Sequence, residues 1–211
     1  MQGRVYFYAI SAVLMWSTTA ALVKSLLTEI PTYEALFVSS LAGCLFLIVM
    51  QLVRGGGRVF RAYDVRGYAA MAGLGFLGIF LYSGLYYYGL SQLTSQEACI
   101  LNFLWPMMIV LFAAFLLGER ITVRTAAALL LSFSGVVALT LGGEGHAEGN
   151  AVMGMIACVL AAVCYGLFCV LNKRRNLDQT VMMVVAWGVT ALCSLPVTLI
   201  MEEWVTLSWM Q

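Results

Sequence analysis

Apolar residues run along this chain in long unbroken stretches, with no strict alternation of apolar and polar positions. A helix needs about 20 apolar residues to cross a bilayer. Seven stretches reach that length, at 5–27, 33–53, 67–90, 98–117, 123–141, 151–172 and 180–201. Strands of a membrane barrel are about 10 residues long and alternate, so the pattern predicts helices. The connections are short and carry turn residues, such as Gly55-Gly56-Gly57 and Gly142-Gly143-Glu144-Gly145, which leaves no room for a domain outside the membrane. The expected fold is all-α, a polytopic transmembrane helical bundle with the lipid bilayer as its first partner.

Composition sharpens this reading. Of 211 residues, 63% are hydrophobic and only 10% are charged. Soluble domains carry about 25% charged residues, and a surface with so few charges is not one that faces water throughout. The net charge of +1 suggests no nucleic-acid partner. The six cysteines all lie in or at the ends of apolar runs, without metal-ligand spacing, and read as small packing residues.

Charge placement gives an orientation. With the N-terminus inside, Arg4, Arg54, Arg58, Arg61, Arg66, Arg120, Arg124, Lys173, Arg174 and Arg175 all fall on the cytoplasmic side. Only Lys24 of the 11 basic residues lies elsewhere, near the outer end of the first span, where it is expected to snorkel to the headgroups, with a substrate carboxylate as the alternative partner. Glu29, Glu34, Glu97, Glu144, Glu148, Glu202 and Glu203 fall in the outer segments. The expectation is a multi-pass protein of the cell membrane, the bacterial inner membrane, with N-in and C-out ends and a first span retained as a signal anchor.

A constant offset of 149 residues lays the first span on the sixth: Trp16 meets Tyr165, Ser17 meets Gly166, Leu22 meets Leu171 and Lys24 meets Lys173. The first span runs outward and the sixth inward, so such a repeat is inverted, as in secondary transporters. Residues 1–145 then form one five-helix repeat, and 146–211 form a partial second repeat of two helices.

Several side chains at middle depth invite a binding role. Tyr82 lies about 12 Å below the outer end of the third span and Trp105 about 10 Å into the fourth, at 1.5 Å per residue. Tyr86 shares a face with Tyr82, and Asn102 shares one with Trp105. Trp16 sits mid-span, and Tyr165 is its counterpart under the offset. Interfacial belts account for Tyr87 and Tyr88 but not for these deeper rings. The set Trp16, Tyr82, Tyr86, Asn102, Trp105 and Tyr165 suits a cavity for an amphipathic solute; aromatic core packing is the competing reading. Pro106 has no N–H for the Asn102 carbonyl, and Pro196 has none for that of Leu192, so both are expected to kink or gate their helices.

Other classes find less support. No Asp or Glu lies deep in a span, which disfavours a carboxylate proton relay. The single histidine, His146, stands between Glu144 and Glu148 in a Gly-rich loop that reads as flexible, so no metal, cofactor or catalytic residue is expected and the chain is not read as an enzyme. A channel would need a charged ring or filter. Glu119 and Arg120 read as a pair at a helix end, and Ala69 and Gly73 as a small-residue packing face on the third span.

The order of short motifs resembles the drug/metabolite transporter superfamily, specifically its ten-helix EamA-type members. Trp16-Ser17-Thr18 with Lys24 is similar to a Trp-Gly-Ser…Lys pattern, with Ser17 where Gly is usual. Glu97-Ala98, Asn102-Phe103-Leu104-Trp105-Pro106 and Leu117-Gly118-Glu119-Arg120 follow in order. The Asn-x-Leu-Trp-Pro stretch is similar to that of the subgroup exporting aromatic amino acids. The resemblance implies an exporter of small organic solutes by alternating access, with a cavity formed between both repeats and therefore lacking its C-terminal wall in these 211 residues. The alternative is a shortened membrane subunit that does not transport, or that needs a partner in a homo- or hetero-oligomer.

Overall fold

The computed structural model describes residues 2–142 and 150–201. All seven expected spans are helices: α1 (Gln2–Leu26), α2 (Thr32–Val53), α3 (Val65–Gln92), α4 (Ser95–Leu117), α5 (Val123–Gly142), α6 (Ala151–Arg175) and α7 (Gln179–Met201). Six are long and apolar enough to cross a membrane by length and composition, and α5 is the seventh apolar helix, with 20 residues. A 3₁₀ turn at Gly57–Arg61 joins α2 to α3. No strand occurs among the described residues. Glu144, His146, Glu148, Glu202 and Glu203 lie outside the described residues, as does the expected boundary at 145 and 146.

Helix ends follow from local chemistry. The Asp64 carboxylate accepts from Gly67 N–H at 2.8 Å and starts α3. Thr94 and Glu97 form a capping box at the start of α4, with Thr94 N–H donating to Glu97 Oε2 at 3.0 Å. This cap adds a turn before residue 98, and it makes Glu97, one of the outer-segment carboxylates, a helix-capping group. Gly118 ends α4 in the left-handed region at φ 68°, and Asn176 ends α6 at φ 50°. The Asp178 carboxylate accepts from Thr180 and Val181 N–H and starts α7.

The bundle is built around α6 and α7. Helix α7 lies along α2 and the first half of α3, while α6 lies along the second half of α3 and both halves of α4. One buried cluster joins Tyr86, Leu90 and Leu93 of α3 and its end to Ala98 and Leu101 of α4 and Cys158 and Ala161 of α6. A second joins Met71, Leu74 and Ile79 to Phe168 of α6 and Val181, Met182 and Ala186 of α7. Glycine permits the tightest crossings. A Cβ on Gly78 would lie 2.1 Å from Phe168 Cγ, and one on Gly166 would lie 2.5 Å from Met108 Cβ. Helix α1 rests mainly on the second half of α3 and the first half of α4, and most of its described residues from Tyr6 to Leu22 face outward.

Three sequence expectations are corrected here. Ala69 and Gly73 are both exposed, and a Cβ on Gly73 would meet nothing within 4 Å; the close approach falls on Gly75, against Ala186. Glu34, counted among the carboxylates of the outer segments, lies in the first turn of α2, only 2% exposed and not left unpaired. Glu119 pairs with Lys173 at 2.8 Å, so the neighbour in sequence, Arg120, is not its ion-pair partner.

Candidate functional site

Two irregular segments place the middle of the bundle. Helix α3 contains a π-helical turn at Phe76–Leu81, immediately before Tyr82. Helix α4 is interrupted after Asn102, where Phe103 N–H bonds the Cys99 carbonyl and Leu104 N–H bonds that of Leu101. It resumes at Trp105 with Pro106 in its first turn, where a missing N–H is tolerated. Non-helical backbone at membrane depth is found where it is enclosed by protein or lines a cavity, and π turns are frequent at functional sites.

These two segments carry their side chains to one place. Asn102 Nδ2 donates to Tyr82 Oη at 3.1 Å, so the similar depths expected for α3 and α4 correspond to a direct contact. Tyr82 stacks on Tyr86 at 6.0 Å between ring centres and leans on Tyr165 at 4.9 Å. Tyr165 meets Trp105 edge-on at 5.4 Å, and Trp105 meets Trp16 edge-on at 6.3 Å. All six residues singled out in the sequence therefore form one connected group contributed by α1, α3, α4 and α6. Trp16 is its outermost member, 66% exposed, while Tyr86 is only 6% exposed. Such edge and offset contacts are the favoured geometries of aromatic pairs. Asn102 Oδ1 is buried and accepts no hydrogen bond from any described residue, which leaves an acceptor beside Tyr82.

The group opens toward the end of the bundle that carries Lys173, Arg174 and Arg175. A cavity of about 400 Å³ is lined by Tyr165, Phe168, Cys169, Asn172, Lys173, Asn176, Gln179 and Met183. A second, of about 300 Å³, lies between α4, α5 and α6 and includes Glu119, Thr125, Cys169 and Lys173. Sequence reasoning missed Phe168, Asn172 and Gln179. The available signal was Asn172 itself, a polar residue closing an apolar run.

Two other expected residues stand apart. Pro196 is exposed on α7, which runs on through it to Met201, away from the aromatic group. Pro106 is also exposed, yet its neighbour Trp105 is in the group. Lys24 does not snorkel outward: its Nζ donates to the carbonyls of Leu90 at 2.7 Å and Leu93 at 3.0 Å, capping the end of α3. A cation there also complements the helix dipole.

Comparison with known proteins adds an independent line. Residues 3–141 match the EamA-like transporter family. The aromatic amino acid exporter YddG of Ancylobacter novellus is 32% identical over 167 residues, covering 78% of this chain and 56% of that protein. The pseudopaline exporter CntI of Pseudomonas aeruginosa is 28% identical over 189 residues, covering 89% of this chain and 64% of that protein. The uncharacterized transporter YetK of Bacillus subtilis is 35% identical over 100 residues, covering 46% of this chain and 30% of that protein. A solved crystal structure superposes with a TM-score of 0.71 at 27% identity, covering 93% of this chain and 67% of that one. The chain thus spans 56% and 64% of the length of the two named exporters.

Proposed function

The chain belongs to the EamA-like transporter family, and we propose that it serves in exporting small amphipathic organic solutes, aromatic amino acids or related metabolites, by alternating access. It is a multi-pass membrane protein, and its relatives are transporters. The observation that carries the proposal is the aromatic group at mid-depth, where four helices meet around the Asn102 carboxamide and two of them depart from α geometry. Rings from Tyr82, Tyr86, Trp105 and Tyr165 offer faces and edges to an apolar moiety, while Asn102 Oδ1 offers an acceptor to a polar one.

The inverted repeat belongs to the same proposal. The bounds of α1, shifted by the 149-residue offset, become those of α6, Ala151–Arg175. Trp16 and Tyr165, equivalent under that offset, flank Trp105 from two sides. Helix α7, the counterpart of α2, packs along it. In this reading 1–145 and 146–211 are the repeat and its partial copy, and the basic end faces the cytoplasm.

Proteoliposome counterflow with radiolabelled L-phenylalanine tests the proposal. Protein with Tyr82→Ala or Trp105→Ala is expected to lose at least about tenfold in initial rate, the scale of a lost aromatic contact and hydrogen bond together. Counterflow undiminished in both variants would remove the aromatic group from the transport path. Absence of counterflow by the unmodified chain at full reconstitution would instead favour the partner-dependent subunit.

A further inference from the structure

The cavity at the basic end has two unlike halves. Tyr165, Phe168 and Met183 form an apolar half continuous with the aromatic group. Asn172, Lys173, Asn176 and Gln179 form a polar half one to two turns further along α6 and into α7. Asn172 is only 7% exposed, deep for a carboxamide among membrane helices. Its Nδ2 donates to Gln179 Oε1 at 3.0 Å, which fixes the amide plane and its polarity. Its Oδ1 accepts no hydrogen bond from any described residue. A buried carbonyl oxygen left in that state is destabilising, and a donor arriving with a ligand relieves it. Lys173, next in sequence, gives one ammonium proton to Glu119 at 2.8 Å and has two more to give.

From this juxtaposition we propose that the basic-end cavity is a headgroup subsite for an α-amino acid zwitterion, with Asn172 Oδ1 accepting from its ammonium and Lys173 facing its carboxylate. Gln179 is a positioning residue that holds the Asn172 amide. The side chain of the solute then points up α6 toward Phe168 and Tyr165. Asn172 and Phe168 are one turn apart, about 6 Å along the helix, which matches the reach of a phenyl ring from its α-carbon. The volume of about 400 Å³ lies within the range of small-molecule sites. The inference rests on the proposed transport of amphipathic solutes and adds the direction in which such a solute lies and the functional group it must carry.

Equilibrium binding to the full chain in lipid nanodiscs separates the possibilities, using L-phenylalanine, phenethylamine (no carboxylate) and 3-phenylpropionate (no ammonium) as probes. Asn172→Ala is expected to weaken L-phenylalanine and phenethylamine by about tenfold or more, leaving 3-phenylpropionate unchanged. Asn172→Asp, which keeps an oxygen acceptor, is expected to restore L-phenylalanine binding. Unchanged affinity of Asn172→Ala for L-phenylalanine overturns the subsite, and so does equal weakening of all three probes, the mark of a merely structural role. If the unmodified chain binds none of the probes, the transport reading itself fails and the subsite with it.

Discussion

Lys24 and Glu119 are charged residues whose partners lie far along the chain and near only in space. Hydropathy places each near a helix end, where snorkelling or pairing with a neighbour in sequence is the expectation. The structure instead gives Lys24 two carbonyl acceptors 66 and 69 residues away, and gives Glu119 an ammonium 54 residues away. The depth of a charge was legible; its partner depended on which helices adjoin. The consequences differ in size. The Glu119–Lys173 pair is well exposed at both ends, and pairs of that kind contribute about 0–1 kcal/mol. Lys24 is half-buried and holds orphan carbonyls at the end of α3, so Lys24→Met is expected to cost about 1–3 kcal/mol. A lowered thermal midpoint in detergent checks this; a midpoint equal to that of the unmodified protein would return Lys24 to the headgroups.

At the scale of elements, the two departures from α geometry in α3 and α4 were unequally visible. The break in α4 has a local cause, since Pro106 removes an N–H, and the sequence pointed to it. The π turn at Phe76–Leu81 has no proline and no polar run to announce it. Its surroundings supply the cause: within and beside it, Gly75 and Gly78 admit Ala186 and Phe168 from α7 and α6. A π turn holds one residue beyond α spacing without the rotation of about 100° that a residue adds to an α-helix, so the helix beyond it keeps its facing. Deleting Leu77 is therefore expected to restore α geometry with Tyr82 still facing Asn102 and Tyr165, so that L-phenylalanine counterflow persists. Loss of counterflow with unchanged far-UV circular dichroism would show that the π turn itself is needed to place Tyr82.

For the whole molecule, the number and rough limits of the helices were readable because a span of about 20 apolar residues has few alternatives. Their packing order was not. Val13 and Leu14 are exposed while Leu36 and Val181 are fully buried, and nothing in residue type separates a lipid-facing position from a core one when both surroundings are apolar. The candidate group was legible for a different reason: Trp, Tyr and Asn stand out against aliphatic runs, and depth along each helix follows from counting residues. Asn172 and Gln179 escaped notice because they stand beside the basic cluster, where polar residues are ordinary. Central to the proposed export is the claim that the rings around Trp105 receive an amphipathic solute. Equilibrium binding of tritiated L-tryptophan to the purified chain in lipid nanodiscs, with and without Trp105→Ala, tests that claim most directly. Saturable binding that the substitution weakens by about tenfold or more is the predicted result; the same isotherm for both proteins, or no saturable binding to the unmodified chain, would contradict it.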